Sequence, residues 1–213
     1  GQWEHAVQSY LASVTFADHC LGLVLDALES SDYGNNTVIA LFSDHGFHLG
    51  EKERWAKRSL WEDGTRVPII VTAPGYKKDQ RSERPAELLD VFPTLLELAG
   101  LPADSTQEGQ SLVPLMKDPK KEWPYPAITS FGLGNYSVRT TRYRFIEYFD
   151  GSRELYDLSK DPHEWKNLAT DPKNKSIIEE HAAHLPKKQH PILPGRSTGH
   201  AAYGAANANI KKD

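Results

Sequence analysis

The first part of the chain shows a helical pattern of polar and apolar positions. Its apolar residues recur at spacings of three and four: Val7, Tyr10, Leu11, Val14, Ala17, Leu21, Val24, Leu25 and Leu28. This stripe predicts an amphipathic helix of about seven turns that covers one face of a sheet. Cys20 falls inside the pattern, so we expect it to be a small buried residue.

Two short apolar runs predict strands after the helix. Residues 38–42 follow a Gly-Asn-Asn turn signal and have the β-branched content of a buried strand. Residues 67–73 predict a second strand, with Pro68 near its start and a Pro-Gly turn at its end. A helix is then expected to begin near Asp90, whose side chain can cap it, and to stop at Gly100.

The second half of the chain has a different pattern. Short β-rich runs at 127–131, 136–139, 143–148 and 154–156 predict a small antiparallel sheet, and residues 173–185 predict a last helix. Beyond Pro186 no period is visible, so a flexible tail is expected. We therefore divide the chain into an α/β portion (1–115), a carboxyl-terminal subdomain (116–185) and a tail (186–213).

The predicted sheet carries three arginines, Arg139, Arg142 and Arg144. They either form an anion patch or, as we favour, are solvated charges on the outer face of the sheet.

The composition limits the classes of partner that we expect for this chain. The formal charge of −4 gives no basic patch, so nucleic acid is not expected as a partner. A hydrophobic content of 38% with 25% charged residues lies at the polar end of the globular range, as expected when a packing partner is absent. One cysteine excludes an internal disulfide, and no stretch predicts a membrane span.

Candidate chemistry is concentrated just after the first predicted strand. Asp44 and His45 are adjacent, so both can face one cation only on a sharp bend, which Gly46 permits. His48 adds an imidazole, and Lys57 adds a compact positive charge suited to a tetrahedral anion. The stretch is typical of a metal-assisted ester-cleavage site, although a capped turn of Asp-His-Gly would have the same sequence.

Several ordered motifs resemble the carboxyl-terminal half of type I sulfatases, within the alkaline phosphatase superfamily, and among them the iduronate-2-sulfatase-like enzymes. They are SDHGFHLGE (43–51), WAKRS (55–59), TRVPII (65–70), LLDVFPTLLELAGLP (88–102), GQSL (109–112), ELYDL (154–158) and DPHE (161–164). The resemblance implies an α/β fold with the later part of a large sheet, followed by a small antiparallel carboxyl-terminal subdomain.

The resemblance also implies roles for individual residues. Asp44 and His45 are similar to two calcium ligands of the family, and Lys57 is similar to the lysine that binds the sulfate group. Phe47, Trp55 and Arg66 are expected to contact substrate, and His48 is expected to assist the leaving group. Trp55 and a second tryptophan, Trp61, either wall a pocket for an acidic sugar or cover a core edge.

The nucleophile of that family is a formylglycine made from a Cys/Ser-x-Pro-x-Arg signature. Cys20 lacks the proline and the arginine, so we expect the signature upstream and interpret this chain as the second portion of a longer enzyme, either a fragment or one chain of a cleaved pair. Its missing amino-terminal portion and a sulfated carbohydrate are then its expected partners. The resemblance favours a periplasmic or secreted location.

The expected function is sulfuric ester hydrolysis on a sulfated sugar or glycosaminoglycan. Two alternatives stay open. One is a phosphatase or phosphodiesterase of the same superfamily, and the other is a non-catalytic fragment that binds calcium or sulfated glycan.

Overall fold

The computed structural model describes residues 1–188 of the 213-residue chain. The helices are α1 (Gln2–Glu29), α2 (Glu62–Thr65), α3 (Val91–Leu98), α4 (Val113–Lys117) and α5 (Lys175–Ala182). The strands are β1 (Ile39–Phe42), β2 (His48–Leu49), β3 (Trp55–Ala56), β4 (Ile69–Thr72), β5 (Ala127–Ser130), β6 (Tyr136–Arg139), β7 (Tyr143–Glu147) and β8 (Arg153–Asp157). Short 3-10 helices occupy Glu51–Glu53, Leu88–Asp90 and Pro172–Asn174.

Helix α1 forms where the periodic pattern predicts it, but it does not cover a sheet. None of its 28 residues is buried, and side chains such as Phe16 and Val24 are 69% and 65% exposed. Cys20 is exposed as well, so the expectation of a buried cysteine is wrong. The amino-terminal part of α1 contacts the segment after β1, with Tyr10 against Phe47 and Trp3 donating to the backbone oxygen of Leu49. Much of the remaining stripe stays exposed in the described part of the chain.

Length and composition give α1 one further property. The helix is long and apolar enough to cross a membrane, contrary to the sequence expectation. Core helices of soluble proteins and leader sequences pass the same test, so this property does not place the chain in a membrane.

Strands β1 and β4 form an antiparallel pair, with Ile39 opposite Thr72 and Phe42 opposite Ile69. Both strands lie within the predicted runs. They are only half-buried, and Phe42 is 48% exposed, so the prediction of a buried first strand is wrong for the described residues. The pair nevertheless fixes where the chain turns out of β1 into the Asp-His-Gly stretch.

The four predicted strands of the second half form one antiparallel sheet in the order β5-β6-β7-β8. Side chains alternate between the two faces of the sheet along these strands, so each face carries its own hydrophobic cluster. Val138, Phe145 and Leu155 pack with Ile178 of α5 on one face. On the other face Ile146 and Tyr156 pack with Leu60, which belongs to the segment before α2. The sheet is therefore held between α5 and the loop region that carries the candidate chemistry.

Asp90 has a different role from the one expected. Its side chain does not cap α3 but accepts hydrogen bonds from the backbone N–H groups of Glu87 (2.8 Å) and Gln110 (2.7 Å). Burial raises the pKa of Asp90, and these two donors oppose that rise. The carboxyl group thus fastens the 3-10 turn before α3 to the 109–112 segment.

The division at residues 115 and 116 stays a prediction. Most of the predicted tail, residues 189–213, lies outside the described residues.

Candidate functional site

Three predicted site residues meet at the bend after β1. The Nε2 atom of His45 lies 3.5 Å from Oδ1 of Asp44 and 2.7 Å from Nζ of Lys57. Nδ1 of His45 lies 2.8 Å from the carbonyl oxygen of Gly46. Because a carbonyl can only accept, Nδ1 donates its proton, and the lone pair of Nε2 accepts from the lysine ammonium. The bend therefore brings an acid, an imidazole and a cation to one point.

The backbone at Gly46 explains why the bend is so sharp. Its N–H donates to the carbonyl of Gly64 at 3.1 Å. A Cβ added at Gly46 would lie 2.1 Å from the backbone oxygen of Asp63. Only glycine fits this approach, so the bend is fixed against the segment that leads into β4.

The β2–β3 hairpin returns Lys57 to His45. His48 pairs with Ala56 and Leu49 with Trp55, and the connecting turn contains the 3-10 helix Glu51–Glu53. Gly50 (φ 123°) permits this turn. The hairpin thereby brings His45 and Lys57, which are twelve positions apart in the sequence, into one site.

The bend offers only part of the coordination shell that a bound cation needs. Asp44 Oδ1 and His45 Nε2 are close enough to bind one ion together, and the Asp44 side chain is 80% exposed. Calcium takes six to eight oxygen ligands, so two side chains supply only part of such a site. The two residues fit part of a shared cation site, and its other ligands would have to come from other segments.

Two of the three predicted substrate contacts, Phe47 and Trp55, touch each other. Phe47 and Trp55 meet edge to face with ring centroids 6.0 Å apart, and Tyr10 of α1 packs against Phe47 at 4.9 Å. Trp55 remains 46% exposed. The side chain of Arg66 is 69% exposed and lies 4.0 Å from Glu62, while its backbone oxygen lies next to Gly46.

His48 differs from the other candidates because its side chain is only 1% exposed. Its Nε2 lies 2.6 Å from Oγ of Ser59. Burial lowers the pKa of His48, and the carboxylates of Asp63 and Glu51 oppose that shift. A direct contact between this ring and a substrate would require the ring to move, so its role in leaving-group departure stays a prediction.

Sequence reasoning missed a buried ion network that supports the site. Arg144 is 2% exposed and forms ion pairs with Glu62, the first residue of α2, and with Glu164, which lies in the loop after β8. Its Nη1 also donates to the carbonyl of Leu60 at 3.0 Å. Burial alone would raise the pKa of Glu62, but the guanidinium groups of Arg144 and Arg139 outweigh it and hold that pKa below its usual value.

The expectation that all three arginines of the sheet are solvated is therefore wrong for Arg139, which is 24% exposed and paired with Glu62, and most clearly for Arg144. Its strand partner is Tyr156, on the face that packs against Leu60. Alternation along 143–148 assigns Arg144 and Ile146 to one face, and this was the only signal in the sequence.

Lys52 adds a second link between the hairpin and the sheet. Its ammonium lies 4.5 Å from the ring centroid of Trp61 and 4.7 Å from that of Tyr156, and it donates to the backbone oxygen of Glu164. Trp61 donates through Nε1 to Glu154 at 2.7 Å. Beside it is a cavity of about 220 Å³ whose lining includes Arg54, Trp61, Tyr148 and Phe149. Trp61 thus both packs on the core and borders a cavity.

Comparisons with known proteins identify the family. The sulfatase family model matches residues 1–101. A sulfatase of Formosa agariphila is 46% identical over 187 residues, which are 88% of this chain and 37% of that protein. A Delta 4,5-hexuronate-2-O-sulfatase of Bacteroides thetaiotaomicron is 32% identical over 198 residues, covering 86% of this chain and 41% of its own length. The chain thus spans less than half of either relative.

Comparison with solved structures supports the same family assignment. A 2-O GAG sulfatase superimposes with a TM-score of 0.63 at 34% identity, over 75% of this chain and 37% of its own. A phosphonate monoester hydrolase of Agrobacterium radiobacter superimposes with a TM-score of 0.70 at 26% identity, over 78% and 37%. These neighbours confirm the predicted fold class. The chain belongs to the sulfatase family of the alkaline phosphatase superfamily and carries a carboxyl-terminal portion of its fold.

Proposed function

We propose that the protein containing this chain hydrolyses sulfuric esters of a sulfated sugar, with a 2-O-sulfated uronic acid unit of a glycosaminoglycan as the favoured substrate. The observation that carries the proposal is the convergence of Lys57 and Asp44 on His45 at a glycine bend. The hexuronate-2-O-sulfatase and 2-O GAG sulfatase among the similar proteins support the choice of substrate.

Each residue at the bend has a task under this proposal. The ammonium of Lys57 binds the sulfate oxygens as a compact point charge. Asp44 and His45 would hold a calcium ion, which would supply further positive charge near those oxygens. His45 accepts from Lys57 through the same Nε2 that would ligate the ion, so Lys57 and the ion would compete for one lone pair.

The remaining parts of the reaction are assigned as follows. Phe47 and the exposed Trp55 border the sugar, and Arg66 contacts its acidic group only if the substrate extends over α2. The nucleophile, a formylglycine, comes from outside this chain, since Cys20 has neither proline nor arginine at the required spacing.

The test measures sulfate release from a 2-O-sulfated uronate disaccharide by the longer protein that contains this chain. Lys57→Ala should lower kcat/KM by roughly 100-fold or more, the scale of losing one charge-stabilising group in an active site. Lys160→Ala, at an exposed position remote in sequence, is the matched control and should leave kcat/KM unchanged. An unchanged rate in Lys57→Ala would remove the proposed role of that lysine.

A second function is phosphonate or phosphate ester hydrolysis, which the phosphonate monoester hydrolase neighbour favours. The same protein is assayed with a sulfate ester, a phosphate ester and a phosphonate monoester of one alcohol. Sulfate ester hydrolysis should be fastest. A phosphonate or phosphate ester hydrolysed faster than the sulfate would overturn the proposed reaction class.

A further inference from the structure

A second cluster of metal-ligating side chains lies apart from Asp44 and His45. The candidate ligand atoms of His48, Glu51 and Asp63 all lie within 4.8 Å of one another. The Nδ1 atom of His48 lies 4.0 Å from Oδ2 of Asp63. This buried nitrogen has no hydrogen-bond partner, although its side chain is only 1% exposed. An unpartnered buried polar atom is costly, and here it faces two carboxylates.

The other ring nitrogen fixes the orientation of His48. Nε2 lies 2.6 Å from Oγ of Ser59. When Nε2–H donates to that hydroxyl, Nδ1 carries a free lone pair toward Asp63. A Cβ at Gly64 would lie 3.2 Å from Nε2 and 2.2 Å from Oγ of Ser59, so the ring and its partner are packed against backbone. Such an orienting bond is typical of metal-binding histidines.

The charge and the ligand types of this cluster favour a divalent metal ion that binds both nitrogen and oxygen ligands. Glu51 and Asp63 bring two negative charges, while Lys52 and Arg54 act on His48 in the opposite sense. One imidazole with two carboxylates matches a zinc site with an open fourth position. Tetrahedral zinc separates its ligand atoms by about 3.4 Å, so ligand atoms within 4.8 Å of one another need to approach by at most about 1.4 Å. Asp63 is free to do so, because its side chain is 40% exposed.

We propose that His48, Glu51 and Asp63 form a zinc site separate from the Asp44–His45 cation site. The site is hypothesised to lock the β2–β3 hairpin, which carries Lys57, onto α2. Calcium is not the expected ion, because it prefers six to eight oxygen ligands.

The test titrates zinc chloride into the dialysed full chain by calorimetry, with one equivalent bound as the expected result. Cobalt(II) replaces zinc in a parallel sample, where visible absorption bands report ligation by nitrogen and oxygen. Asp63→Asn and Glu51→Gln should each weaken zinc binding by at least about tenfold, and Ser59→Ala by roughly 10 to 100-fold. Glu53→Gln, an exposed neighbour in the same turn, should bind zinc like the wild type.

Three results would overturn the proposal. The first is the absence of stoichiometric zinc binding by the wild-type chain. The second is binding that both Asp63→Asn and Glu51→Gln leave unchanged while circular dichroism shows each variant folded. The third is zinc binding that is lost in His45→Asn but kept in both carboxylate variants, which would assign the ion to the other site. None of these results depends on catalytic activity, so they are separable from a failure of the proposed function.

Discussion

Replacing Arg144 by methionine tests whether the sheet supports the site loops. The guanidinium is 2% exposed and pairs with two carboxylates, Glu62 and Glu164, whose side chains are 13% and 2% exposed. Methionine has a similar length but no charge. Removing one partner of a buried ion pair leaves an uncompensated charge and costs about 3 to 5 kcal/mol in free energy of unfolding. Glu62 keeps Arg139 at 3.2 Å, so most of the cost falls on Glu164.

The loss should depend on pH in a defined direction. Burial already raises the pKa of Glu164 above its ordinary value of 4.5, although Arg144 opposes the rise. Without the guanidinium, that pKa rises further. Between 4.5 and the raised value the folded state binds more protons than the unfolded state, so stability falls as pH rises. The difference between Arg144→Met and wild type should therefore be largest near pH 8 and smaller at pH 5.

Urea unfolding followed by tryptophan fluorescence at the two pH values measures this difference. Arg153→Met is the control, because Arg153 is 47% exposed and its pair with Glu147 is on the surface. The control should change stability by less than about 1 kcal/mol. A loss below about 1 kcal/mol in Arg144→Met, or one that grows toward pH 5, would refute the reasoning.

Two further predictions concern the bend and the last helix. Gly46→Ala should lower the free energy of unfolding by about 1 to 3 kcal/mol, because its Cβ would meet the backbone of Asp63. Gly22→Ala in the exposed helix α1 is the control and should be neutral or stabilising by up to about 1 kcal/mol. Equal effects of the two substitutions in chemical denaturation would contradict this prediction. Burial lowers the pKa of His181 below 6.5, so the unfolded state takes up the proton first and stability should decrease as pH falls below about 6.5. His181→Gln should flatten that slope between pH 7 and 5, and an unchanged slope would exclude the residue as a contributor.

Local patterns in the sequence determined where the helices and strands form. The strands of the second half were predicted within one or two residues, because period-two alternation and turn glycines act over short distances. Helix α1 was predicted from apolar spacings of three and four, which are also local. The Asp-His-Gly bend was predicted from residue types and family resemblance, and the structure brings Asp44, His45 and Lys57 together there.

Only the tertiary structure decided which faces are covered. Arg144 was expected in solvent, yet packing of the sheet against the loop at Leu60 buries it with Glu164, a residue twenty positions away that no local pattern connects to it. The apolar stripe of α1 was expected under a sheet, yet Leu11, Val14 and Val24 remain exposed in the described residues. Periodicity specifies that a face is apolar or charged, but burial depends on which distant segment packs against it, and that is a property of the whole arrangement.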